Sequence, residues 1–121
     1  MKKVTNRQMV EFINATSGMA DKELPLKLAF AISHNRQALI EKYKPYDELR
    51  KSIVEKHADN AKEMEKQMAG LLEESFEVSL KTVPMSELEK TDNGAYSKLS
   101  LGELVVIEQL MLEKAGEKDA V

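Results

Sequence analysis

The chain contains no cysteine, and this absence excludes disulfide bridges, thiolate metal sites and cysteine nucleophiles together. Tryptophan is also missing, and aromatic residues make up only 5% of the sequence. The core must therefore consist of aliphatic side chains, and the seven methionines are expected to fill its gaps. Glycine and proline are scarce as well, at five and three residues. This composition is typical of a helical protein.

Long apolar segments are absent too. No run of 18 apolar residues occurs, and the first residues, MKKVTNRQ, lack the apolar core of a signal peptide. The net charge is -3 with both signs interspersed, so we expect neither a basic nucleic-acid-binding face nor a strongly acidic DNA mimic. The sequence predicts one cytoplasmic domain spanning residues 1–121, with no membrane contact and with residues 116–121 as a frayed tail.

Two capping boxes predict the helices at the two ends of the chain. Thr5 with Gln8, and Ser100 with Glu103, have the spacing at which each side chain satisfies a free backbone amide of the other residue. The first of these helices is expected to end near Gly18. The last one is apolar on almost every side, which predicts that protein covers it all round. Its apolar residues are Leu101, Leu104, Val105, Val106, Ile107, Leu110, Met111 and Leu112.

The longest helical pattern has a proline near its centre. The pattern begins at Pro25, which suits a first turn, and continues to about His57. Proline inside a helix costs about 3 kcal/mol, yet the apolar phase does not slip at Pro45. We therefore predict one kinked helix; the alternative is a helix that ends at Tyr43 and a second helix that starts at Pro45. The residues that keep the phase are Leu39, Tyr43, Tyr46, Leu49 and Ile53.

A third helix is predicted to fold back on the second. Asn60 and Glu63 have the spacing of a helix start, and a turn near Asp59 would produce an antiparallel hairpin. The alternative is a single helix as far as Ser75. Such a helix would be about 75 Å long and would need a partner chain, so the hairpin is favoured.

Alternating apolar residues in SFEVSLKTVP predict a strand, and the N-terminal segment MKKV is its candidate partner. After Pro84, the segment PMSELEK indicates a single helical turn. The predicted fold is mainly α: a kinked long helix forms a helical hairpin, the N- and C-terminal helices pack against it, and at most a two-stranded β-ribbon is added.

The sequence offers few groups for catalysis. The two histidines, His34 and His57, lie 23 residues apart, and neither has a second ligand at metal-binding spacing. A nucleophile elbow and a glycine-rich phosphate loop are missing as well. We therefore predict a non-enzymatic protein with no catalytic residue, no metal and no cofactor, and a role in protein–protein contacts.

The candidate interface is a heptad seam along the long helix. Its residues are Ile32, Asn35, Leu39, Tyr43, Tyr46, Leu49 and Ile53. This seam predicts a homodimer, unless the third helix covers the same stripe within the chain. Asn35 would either pair with an asparagine of the partner or lie at a solvated edge. Tyr43 and Tyr46 would be either interface anchors or core residues with hydroxyls at the rim.

The order of elements resembles a family of short phage- and prophage-encoded proteins that have no assigned function. The segments that carry the resemblance are VTNRQMVEFINA, LPLKLAFAISHNRQALIEKY, YDELRKSIVEKHA, FEVSLKTV and LSLGELVVIEQLM. The proline in YKPY departs from the uninterrupted helix of that family. The resemblance implies expression inside a bacterial cell and a phage or host protein as partner, in assembly, as a chaperone or as an inhibitor of host defence. The alternative is an accessory subunit of a phage nucleic-acid enzyme.

Overall fold

Five α-helices, two short strands and two single-turn 3-10 helices, Met19–Asp21 and Lys90–Asp92, form the part of the chain that the structure describes, residues 1–92 and 94–113 of a computed structural model. In chain order the strands and α-helices are β1 (Lys2–Thr5), α1 (Asn6–Ala15), α2 (Leu26–Lys56), α3 (Ala61–Glu73), β2 (Ser75–Val78), α4 (Met85–Glu89) and α5 (Leu101–Leu110). The mainly helical fold with a small antiparallel ribbon is confirmed. The tail predicted at residues 116–121 lies outside the described residues.

Both predicted capping boxes are present. At the start of α1, the backbone amide of Gln8 donates to Thr5 Oγ1 over 3.1 Å, and the amide of Thr5 donates to Gln8 Oε1 over 3.0 Å. At the start of α5, the amide of Glu103 donates to Ser100 Oγ over 3.2 Å, and the amide of Ser100 donates to Glu103 Oε1 over 2.7 Å. Each pair satisfies two amides that the first helical turn leaves free.

The second helix is continuous through its proline. It contains 31 residues and is therefore about 46 Å long. Pro45 lies inside it with its side chain exposed to solvent. The prediction of one helix is confirmed, and the alternative of a new helix starting at Pro45 is wrong. The hairpin is confirmed too, because Asn60 Oδ1 accepts from the amide of Glu63 over 3.1 Å and starts α3 just after a short turn.

The first helix lies at the centre of the packing, in contact with α2, α3 and α5. Asn6 anchors its start, since the backbone amide donates to Glu74 O over 2.9 Å and the side-chain amide donates to Leu71 O over 2.8 Å. The strands pair antiparallel, with Lys2 opposite Val78. One aliphatic cluster joins these elements. Its fully buried members include Val4, Met9, Phe12, Leu28, Leu39, Ile107 and Met111.

Candidate functional site

Most of the predicted heptad seam lies in the core of the chain. Ile32, Asn35, Leu39 and Tyr46 are buried, Tyr43 and Ile53 are partly buried, and Leu49 is 53% exposed. The physical reason is that α1 and α3 pack against α2 from within the same chain. The seven residues do not form one exposed surface, so the seam as a whole is not available to a second copy.

Asn35 has a partner in its own chain. Its side-chain amide donates to Lys81 O over 2.9 Å, and its Oδ1 accepts from the amide of Lys81 over 2.7 Å. The residue is fully buried. Asn35 therefore holds the segment between β2 and α4, and the structure differs from both sequence interpretations of this residue, the partner asparagine and the solvated edge.

Tyr43 and Tyr46 contact one another beside Pro45. Their ring centroids lie 5.4 Å apart at an interplanar angle of 53°. Burial raises the pKa of Tyr46, and the nearby Tyr43 raises it further. Tyr46 belongs to the core and Tyr43 packs at its edge, in agreement with the core interpretation of the pair.

One side of α5, in contrast, presents apolar side chains to solvent. Leu101, Leu104, Val105 and Glu108 are spaced by three or four residues and share one side of the helix; we call this the outer face of α5. The first three are 78%, 37% and 43% exposed. The opposite side of α5 is buried, through Glu103, Val106, Ile107 and Leu110. The sequence predicted that protein covers this helix all round; residues 1–92 and 94–113 cover one side of it.

A groove runs between the outer face of α5 and α4. It has a volume of about 420 Å³, and its apolar wall consists of Met85, Leu88, Leu99, Leu104 and Leu112. Met85 is 50% exposed. We call this cleft the α4–α5 groove. Aliphatic side chains open to solvent in a cleft are typical of a binding surface for another apolar side chain.

The rim of the α4–α5 groove is acidic. Glu89, Asp92 and Glu108 line it, and Lys98 is the one cation among the residues that line it in the described part of the chain. None of the three carboxylates has an ion pair or a hydrogen bond to another described residue. Within the residues that the structure describes, the rim therefore carries more negative than positive charge.

Two neighbouring carboxylates are, in contrast, neutralised within the chain. Buried Glu87 forms an ion pair with Lys90, and the hydrogen bond that Lys90 donates raises the pKa of Lys90. Glu103 caps α5 and lies 3.7 Å from Lys22 Nζ. Glu87 and Glu103 therefore do not add to the charge of the rim, which Glu89, Asp92 and Glu108 carry.

The two histidines lie in other clefts. His57 lines a groove of about 660 Å³ between α2 and α3, together with Leu49 and Ile53. His34 lines a groove beside Phe30 on the N-terminal half of α2. Among residues 1–92 and 94–113, no three histidine or carboxylate side chains come together in a metal-binding group. In the same residues, no helix is both long and apolar enough to cross a membrane.

Sequence reasoning missed the outer face of α5, although a signal for it was present. The apolar residues on all sides of this helix indicated a cover on all sides. What the sequence did not reveal is that the described residues cover only one side of this helix. No family model, no curated protein and no solved structure matches the chain.

Proposed function

We propose that this chain is a non-enzymatic protein-binding factor whose partner covers the outer face of α5. The observation that carries the proposal is the apolar character of both sides of α5 combined with the burial of only one of them. Helices that are apolar all round are normally covered all round, and contiguous exposed apolar surface marks sites of protein association. The resemblance to phage- and prophage-encoded proteins supports a phage or bacterial protein as the partner, in assembly or in inhibition of a host defence.

The test compares two variants that each remove exposed apolar side chains from a different helix. Leu104→Ser/Val105→Ser removes apolar surface from the outer face of α5, and Leu49→Ser does the same on α2, where the side chain is also exposed. Each tagged protein is used to capture partners from infected bacterial cells. The protein that the wild type captures is then identified by mass spectrometry, purified and titrated against all three chains by calorimetry. Circular dichroism verifies that each variant is folded.

We expect the α5 double variant to bind the purified partner at least about tenfold more weakly, a loss of about 1.4 kcal/mol. Full burial of an aliphatic side chain contributes roughly 1.5–3 kcal/mol, and the partner would bury the part of Leu104 and Val105 that is still exposed. Leu49→Ser should bind like the wild type. If Leu49→Ser binds more weakly and the α5 double variant binds like the wild type, the interface lies at the groove between α2 and α3. Equal affinity of all three chains would refute both surfaces.

A further inference from the structure

We infer that the occupant of the α4–α5 groove is an amphipathic segment of another protein, with aliphatic side chains in the groove and lysine or arginine at its flanks. This inference rests on the proposed function and adds the chemistry of the partner. It follows from the apolar wall of the groove, from the negative charge of its rim and from the repulsion that this charge would produce between two copies of the chain.

The wall of the groove sets the apolar part of the occupant. Met85 and Leu104 are half-exposed along a cleft of about 420 Å³. Neither side chain contributes an atom that could hydrogen-bond strongly, so the cleft favours aliphatic or thioether groups. A helix that presents apolar residues three and four positions apart is the common way to fill such a groove beside another helix.

The rim sets the charge of the occupant. Glu89, Asp92 and Glu108 are exposed and have no cationic partner in the described residues, while the one lining cation is Lys98. Like charges around an apolar cleft repel each other and raise the local concentration of cations. A segment with lysine or arginine beside its apolar residues would relieve this repulsion, whereas acidic flanks would increase it.

The same charges argue against a second copy as the occupant. A two-fold dimer places the same surface of each chain against the other. Since Glu108 lies on the outer face of α5 itself, packing this face against its own copy would bring the two acidic rims together. Each copy would add three carboxylates and only one cation, Lys98, among the described lining residues. Electrostatic complementarity therefore favours a different chain with basic flanks.

The test uses two pools of labelled helical peptides on the intact chain. Both pools carry the same randomised aliphatic residues at positions i, i+3, i+4 and i+7; lysine flanks these positions in one pool and glutamate in the other. Binding is followed by fluorescence anisotropy at about 50 mM and about 500 mM salt, because salt screens exposed charges. The variant Glu89→Lys/Asp92→Lys/Glu108→Lys reverses the rim. The control Glu48→Lys/Glu55→Lys/Glu65→Lys makes the same change of net charge at exposed sites on α2 and α3.

The lysine pool should bind the wild-type chain at least about tenfold more tightly than the glutamate pool at low salt, and the preference should shrink at high salt. It should reverse in the rim variant and persist in the control. Leu104→Ser/Val105→Ser should weaken binding of the lysine pool. Any of four results would overturn the inference: equal binding of the two pools, tighter binding of the glutamate pool, loss of the lysine preference in the control variant, or no binding of either pool. If the peptides give one of these results and the purified partner still fails to bind Leu104→Ser/Val105→Ser in the calorimetric test, the outer face of α5 is an interface, and only the basic flanks of the partner are refuted.

Discussion

At the scale of single residues, Asn35 has the clearest structural role. Its side chain imitates a backbone amide, because it donates to Lys81 O and accepts from the Lys81 amide over 2.9 and 2.7 Å. The two residues are 46 positions apart, so no local pattern in the sequence pairs them. The sequence showed that Asn35 occupies a heptad position, but the hydrogen-bond partner of a buried side-chain amide depends on long-range packing.

Replacing Asn35 with aspartate tests this role. The carboxylate keeps an acceptor for the Lys81 amide but loses the donor to Lys81 O and places a charge beside that carbonyl in a buried site. We expect Asn35→Asp to lower the free energy of unfolding by roughly 2–4 kcal/mol near neutral pH. The measurement is urea denaturation followed by circular dichroism. Asn14→Asp, exposed in the last turn of α1, is the control; it should lower the free energy of unfolding by less than about 1 kcal/mol, the effect of a negative charge at a helix C-terminus. A small effect at both positions would show that the Asn35 bonds contribute little.

At the scale of elements, local signals predicted the structure well. The capping boxes at Thr5 and Ser100 depend on residues three positions away, and the period of the apolar residues separates helix from strand. The continuity of α2 through Pro45 followed from the unbroken apolar phase. Which side of a helix the chain covers depends on distant elements instead. For this reason the sequence left open whether the third helix covers the α2 seam, and it did not show that one side of α5 is exposed.

Pro45 offers a test of helix continuity. Inside α2 it cannot donate the hydrogen bond to the carbonyl of Glu41. Pro45→Ala restores this donor and should raise the free energy of unfolding by about 1–3 kcal/mol, since alanine is the better helix residue but leaves the unfolded chain more flexible. Thermal denaturation measures the change. Lys42→Ala, an exposed substitution in the same helix, controls for alanine propensity alone. Equal melting temperatures for the two variants would argue against an internal proline.

At the scale of the whole molecule, the packing around α1 decides which apolar surface remains open. This helix contacts α2, α3 and α5, while α3 covers a further part of α2. Together they bury the seam residues Ile32, Leu39 and Tyr46 within one chain. The apolar surface that the sequence assigned to a dimer is thereby used for folding. The outer face of α5 is part of the apolar surface that stays exposed, and the acidic rim of the α4–α5 groove beside it disfavours binding of a second copy.

The distribution of buried and exposed apolar residues predicts the state of association in solution. The seam predicted a homodimer, but with its central residues in the core we expect sedimentation equilibrium at about 50 μM to give the mass of one chain, 13.7 kDa. Glu108→Leu should shift the mass toward twice that value, because it removes the carboxylate from the outer face of α5 and makes this face wholly apolar. Glu48→Leu, on the exposed side of α2, should remain a monomer.

A wild-type dimer that dissociates in Leu104→Ser/Val105→Ser would instead make a second copy the occupant of the outer face of α5. A wild-type dimer insensitive to that variant would require a contact elsewhere, with Leu49 and the groove between α2 and α3 as the next surface to change.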